Sequence, residues 1–204
     1  MASYLIVDYG MGNLHSVLGA MQFLGVDPKI SADPAEVLMA DVLILPGVGS
    51  YRRAMDQLTK TGLADALKEA VVHKQRKILG ICLGMQLMAK QGTEDGSREG
   101  LGFFSGDVLR FPKVEGLKVP HVGFDNVNFN PNSCLGRGLG ESTDFYFVHS
   151  YRLMPEYRPG VSGVCSYGDD FIATYEYKNI FATQFHPEKS QTNGLGLLSN
   201  FLNV

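Results

Sequence analysis

The chain has 204 residues, a net charge of −3, and 45% apolar against 19% charged residues, enough apolar material to bury a full core. No basic run or stripe is present, which speaks against a nucleic-acid partner, and no apolar run approaches the roughly 20 residues a membrane-spanning helix needs. The three cysteines, Cys82, Cys134 and Cys165, are widely separated and lack metal-site spacing, and the first residues lack the features of a signal peptide. The expected compartment is the cytoplasm.

Leu5-Ile6-Val7 reads as a short buried strand, stopped by the glycine-rich turn Asp8-Tyr9-Gly10-Met11-Gly12-Asn13. Leu14, Val17, Leu18, Met21 and Leu24 then recur at helical spacing up to Gly25. Lys29-Ile30 is a second strand candidate, and Asp33-Pro34 opens a helical turn. Val42-Leu43-Ile44-Leu45 is a buried strand ending at Pro46-Gly47-Val48-Gly49-Ser50, and residues 52–73 carry a helical pattern broken at Thr61-Gly62. Lys77 to Ile81 is strand again, and Gly84 to Lys90 reads as helix. Strand, glycine turn and helix alternating in this way predict a doubly wound α/β sheet with ligands at the carboxyl ends of its strands. Beyond residue 100, segments 107–111, 124–129, 145–151, 161–166, 171–176 and 180–185 are rich in Phe, Tyr and Val. Gly, Pro and Asn separate them, which predicts antiparallel strands before a last helix over Gly194 to Leu202. With no repeat or linker, residues 1–204 read as a single domain.

Gly80-Ile81-Cys82-Leu83-Gly84 has the form of a nucleophile elbow with cysteine at its tip, and small residues two before and two after it. A helix beginning there sets partly positive N–H groups beside the sulfur and favours the thiolate. Such a cysteine needs an oriented base. Of the five histidines, His186 in Gln184-Phe185-His186-Pro187-Glu188-Lys189-Ser190 has a carboxylate two residues away, giving the base-plus-orienter logic of a triad. His73 reads as solvated, His15 as cap-region or surface. Pro46-Gly47-Val48-Gly49 and the N–H of Leu83 are candidate oxyanion donors. Gly10-Met11-Gly12 is not a dinucleotide fingerprint, because the third glycine position holds His15. With no phosphate loop and no metal-ligand cluster, neither a cofactor nor a metal is expected. Cys134 and Cys165 read as packing.

Taken in order, Asp8-Tyr9-Gly10-Met11-Gly12-Asn13-Leu14, Leu45-Pro46-Gly47-Val48-Gly49, Gly80-Ile81-Cys82-Leu83-Gly84-Met85-Gln86, Tyr146-Phe147-Val148-His149-Ser150-Tyr151 and Gln184 to Ser190 resemble the class I (triad) glutamine amidotransferases. Along nearly the whole chain they resemble the glutaminase subunit of imidazole glycerol phosphate synthase. The resemblance implies a flavodoxin-like three-layer α/β fold, with a mostly parallel central sheet and extra antiparallel strands in the C-terminal half. It implies hydrolysis of L-glutamine, with the ammonia channelled to a (β/α)₈-barrel cyclase subunit in histidine biosynthesis. Cys82 would be the nucleophile, His186 the general base and acid, and Glu188 the orienting carboxylate. Gly47, Val48 and Gly49 would line the oxyanion strand, whose peptide units could flip as a switch. Gln86, Glu94, Ser150 and Tyr151 would hold the glutamine, while Asn13, Pro120, His121 and Lys189 would face the partner.

One departure is Gly123-Phe124-Asp125, where the histidine-pathway family typically carries Gly-Trp-Asn. A paralogous branch with Ser190-Gln191 after the lysine is also similar and supplies ammonia for sugar amidation in surface-polysaccharide pathways. A stand-alone γ-glutamyl hydrolase or cysteine peptidase of the same fold is a further alternative. So is a binding or regulatory module with a decayed site.

Overall fold

A computed structural model describes residues 2–154 and 159–204. The first half runs β1 (Tyr4–Val7), α1 (Leu14–Phe23), β2 (Lys29–Ser31), α2 (Pro34–Met39), β3 (Val42–Gly47), α3 (Tyr51–Lys60), α4 (Leu63–Lys68), β4 (Lys77–Cys82) and α5 (Leu83–Leu87). It continues through β5 (Gln91–Gly92), β6 (Arg98–Glu99), β7 (Asp107–Arg110), β8 (His121–Asn128), β9 (Ser142–His149), β10 (Tyr151–Leu153), β11 (Val161–Tyr167), β12 (Asp169–Tyr177), β13 (Ile180–Thr183) and α6 (Gln191–Leu202).

A nine-stranded sheet has the order β2-β1-β3-β4-β13-β12-β11-β8-β9. The pairs from β2 through β13 are parallel, and those from β13 onward are antiparallel. The antiparallel strands therefore extend the parallel half sideways within one mixed sheet. On β3, Leu43 and Leu45 join the core under α2 to α5, while Val42 and Ile44 join the core under α1 and α6. Alternate side chains of one strand thus bury on opposite faces, which is why the run is continuously apolar. Two helices start where the sequence supplies a cap: the Asp33 carboxylate accepts from Ala35 N–H, and the Ser50 hydroxyl from Arg53 N–H.

Several boundaries differ from the sequence reading. The helix after the elbow stops at Leu87 rather than Lys90, because the Leu87 and Met88 carbonyls accept from Leu101 and Phe103 N–H groups of a crossing loop. That loop is tied to β5 and β6, which the sequence reading missed and which join β7 and β10 in a small second sheet. The 145–151 segment divides at Ser150, where the chain leaves the large sheet and enters the small one. The last helix begins at Gln191, three residues before Gly194. Gly194 lies inside the helix, and the Pro187 carbonyl occupies the space a side chain there would need.

Candidate active site

Cys82 ends β4 and caps α5 with φ 54° and ψ −109°, a conformation L-residues rarely adopt. The elbow forces it. Around the turn, a Cβ on Gly84 would overlap the Leu45 carbonyl oxygen, and one on Gly80 would lie 2.9 Å from Met85 N. Glycine at these two positions lets the helix leave the strand tightly enough to hold the sulfur at the carboxyl end of β4. The parallel pairing of β3 with β4 sets Gly47 opposite Cys82, so the predicted oxyanion strand runs directly beside that cysteine. The buried Tyr9 ring lies against Gly47, its hydroxyl in the space a side chain there would take. Burial, and then the negative charge of Cys82, push the Tyr9 pKa up.

His186 follows β13 and is 2% exposed, its backbone N–H bonded to the Tyr146 carbonyl at 2.9 Å. Nδ1 meets Glu188 Oε1 at 2.8 Å, and the Glu188 side chain is 1% exposed. The carboxylate can only accept, so Nδ1 carries the proton and a neutral ring presents its lone pair at Nε2. Among the described residues Nε2 is buried without a hydrogen-bond partner. Burial lowers the His186 pKa, but the negative charge of Cys82, followed by the hydrogen bond and charge of Glu188, outweighs it and raises the pKa to about 10. The arrangement can therefore hold an imidazolium beside a thiolate.

A cavity of about 440 Å³ opens beside Cys82, within the size range of small-ligand sites. Val48, Gly49, Leu83, Gln86, Glu94, Ser150 and Tyr151 all line it. Glu94 is half-buried and accepts from Tyr51 N–H at 2.9 Å, and burial is the main cause of its raised pKa. A second polar atom of its carboxylate remains for an incoming cation. The Gln86 side chain is turned inward, its amide nitrogen donating to the Tyr151 carbonyl and to Gln184 Oε1, both at 2.9 Å. Among the described residues no group of three or more His, Cys, Asp or Glu could hold a metal ion.

Residues 5–204 match the family model described as glutamine amidotransferase class-I. The chain belongs to that family. Its relatives include the imidazole glycerol phosphate synthase subunit HisH 1 of Campylobacter jejuni, 44% identical over 98% of each chain. HisH of Moorella thermoacetica is 44% identical over 98% of this chain and 94% of that one. Among solved structures, one glutamine amidotransferase superposes with a TM-score of 0.76 at 21% identity, covering 98% of this chain and 97% of that one. PurLQS of Thermotoga maritima superposes at 0.68 with 18% identity, covering 100% and 99%. At that identity the two structures speak for the fold alone.

Of the residues expected to face a partner of this amidotransferase, Pro120 and Lys189 are exposed, the latter with Nζ 5.8 Å from the Tyr146 ring centre, and Asn13 is half-buried. His121 must be corrected. It is 2% exposed and stacked between Tyr167 and Phe147, because the alternation along β8 turns Val122 and Phe124 outward and His121 inward. There it contacts His149 at 3.0 Å, which in turn bonds the Tyr151 carbonyl at 2.8 Å. Burial is the main reason the His149 pKa drops to about 3, so its ring is neutral. His15 and His73 are exposed. Cys165 is wholly buried, which pushes its thiol up to about 12, and Cys134 is half-buried beside the Glu176 carboxylate, which accepts from its N–H. The sequence reading missed Gln184, whose amide nitrogen lies 3.7 Å from the Cys82 sulfur. Its spacing of two from His186 near the end of an extended strand was the available signal.

Proposed function

We propose that this chain, as a single amidotransferase domain, is the glutaminase subunit of an imidazole glycerol phosphate synthase. It hydrolyses glutamine and passes ammonia to a (β/α)₈-barrel cyclase in histidine biosynthesis. The observation that carries the reading is a strained Cys82 at the mouth of a cavity that Gln86 and Glu94 also line, with a buried His186–Glu188 pair beside it. The numerous relatives bearing the HisH name over nearly the whole chain favour that acceptor. Among the described residues no helix is long and apolar enough to cross a membrane, and we place the pair of subunits in the cytoplasm.

Glutamine binds with its α-ammonium toward Glu94 and its polar ends toward Gln86, Ser150 and Tyr151. The Cys82 thiolate attacks the carboxamide carbon, and the new oxyanion takes N–H donors from Gly47, Val48 and Gly49 and from Leu83. His186 gives its proton to the amide nitrogen, the C–N bond breaks, and ammonia leaves. The neutral imidazole then removes a proton from water, which attacks the thioester and releases glutamate. Glu188 holds the ring throughout.

Glutamate release measured for the chain alone, then with a histidine-pathway cyclase and its acceptor ligand, tests the proposal. A stimulation of roughly tenfold or more, the scale of a 1.4 kcal/mol coupling, is expected. Absence of stimulation in a chain still labelled at Cys82 by a glutamine-like electrophile would move the acceptor to the sugar-amidating branch. The outward-facing Phe124 and the neighbouring Asp125 motivate keeping that arm.

A further inference from the structure

We propose that Gln184 is a further catalytic residue, donating an amide N–H to the Cys82 sulfur and holding it ready as the thiolate. The proposal rests on Cys82 being the nucleophile. Gln184 is fully buried, and its Nε2 lies 3.7 Å from Sγ. The direction of this amide follows from its neighbours. The Tyr151 backbone carbonyl can only accept, so the group Gln86 turns toward it at 2.9 Å is its NH₂. The same NH₂ reaches Gln184 Oε1 at 2.9 Å and uses its second proton there. With its oxygen engaged by Gln86, Gln184 has its own NH₂ facing the sulfur. A flipped Gln184 would set two NH₂ groups against each other and an oxygen against the sulfur, so the chain of bonds admits one orientation.

The chemistry favours one state of the cysteine. Among the described residues Sγ also lies 4.0 Å from the Val148 carbonyl, which can receive a proton from the thiol but offers nothing to a thiolate. Gln184 offers a donor, and a donor to a charged acceptor forms a stronger bond than one to a neutral acceptor. His186 supplies a mobile proton that leaves during each turnover, whereas the Gln184 donor is fixed and keeps the sulfur in place when the imidazole is neutral.

The test is the rate of Cys82 alkylation by iodoacetamide across pH 5 to 10, followed by peptide mass spectrometry on the full chain. Gln184→Leu removes the donor and keeps most of the volume. It should alkylate roughly tenfold more slowly at pH 7, since a hydrogen bond to a charged group contributes about 1.5 kcal/mol or more, and should reach half its maximal rate at higher pH. Gln184→Glu turns an anion toward the sulfur and should shift that profile further in the same direction. A purely structural role would leave the profile's position unchanged while lowering the urea midpoint. Gln86→Leu, which keeps Gln184 but releases its oxygen, should give a smaller shift of the same sign and serves if the Gln184 variants do not fold. Profiles superimposing on the wild type in the folded variants would overturn the proposal. A wild-type Cys82 no more reactive than half-buried Cys134 would instead overturn the nucleophile on which it rests.

Discussion

Cys82→Ala is expected to lower kcat/KM for glutamine hydrolysis by about 10⁴- to 10⁶-fold, the loss typical when the nucleophile of a triad is removed. The size follows from the mechanism: without sulfur no covalent intermediate forms, and the remaining donors can only stabilise direct attack by water. The geometry adds a sharper expectation. In the proposed mechanism Cys82 and His186 act as one unit, the charge of Cys82 raising the His186 pKa. The double variant Cys82→Ala/His186→Ala should therefore be about as active as either single variant. Glutamate release in the presence of the cyclase partner reads all three. Additive losses, with the double variant down by the product of the two, would show that the residues do not form one catalytic unit. The fold of Cys82→Ala should be retained, because the residue's work lies in its sulfur and alanine leaves only a small gap beside an existing cavity.

Gly84→Ala should be far more harmful to the fold than its chemistry suggests. A single methyl there would overlap the Leu45 carbonyl oxygen and sit 2.8 Å from the carbonyl carbon. Both belong to the backbone of a central strand and cannot turn aside. Overpacking in a well-filled core costs about 1–3 kcal/mol, and a clash with fixed backbone belongs at or above the upper end. The expected result is a large drop in the urea midpoint, or little folded protein at all. Gly19→Ala is the matched control. Gly19 lies in α1 with nothing within 4 Å of the added methyl, so the change should stabilise by about 0.5–1 kcal/mol through helix propensity. Equal destabilisation by both substitutions would mean that the elbow packs less tightly than described.

The parts of the site that were legible in sequence are those made by residues close along the chain. The elbow is five consecutive residues, and its strain and steric demand are visible in Gly80 and Gly84. His186 and Glu188 are separated by Pro187 alone, so their pairing could be read before any fold was known, and the structure places them in contact. The cavity residues Gln86, Glu94, Ser150 and Tyr151 were reachable only through resemblance to a family. They come from an elbow helix, a loop and the point where the chain changes sheets, and no local pattern joins those three places.

By itself the sequence determined the alternation of strand, turn and helix, the position of the cysteine elbow, and the local carboxylate on the histidine. Each depends on steric and hydrogen-bonding preferences spanning a few residues. Only the tertiary structure decided how the antiparallel strands extend the parallel sheet, and that His121 turns into the core while Phe124 faces outward. It also decided where the Gln86 amide points and which group stands behind the Cys82 sulfur. Gln184 and Cys82 are 102 residues apart, brought together by the parallel pairing of β13 with β4. The direction of that amide is set by an acceptor-only carbonyl at Tyr151 on yet another strand. Such orientation is a property of a closed network of partners, and it exists only once all of them are in place.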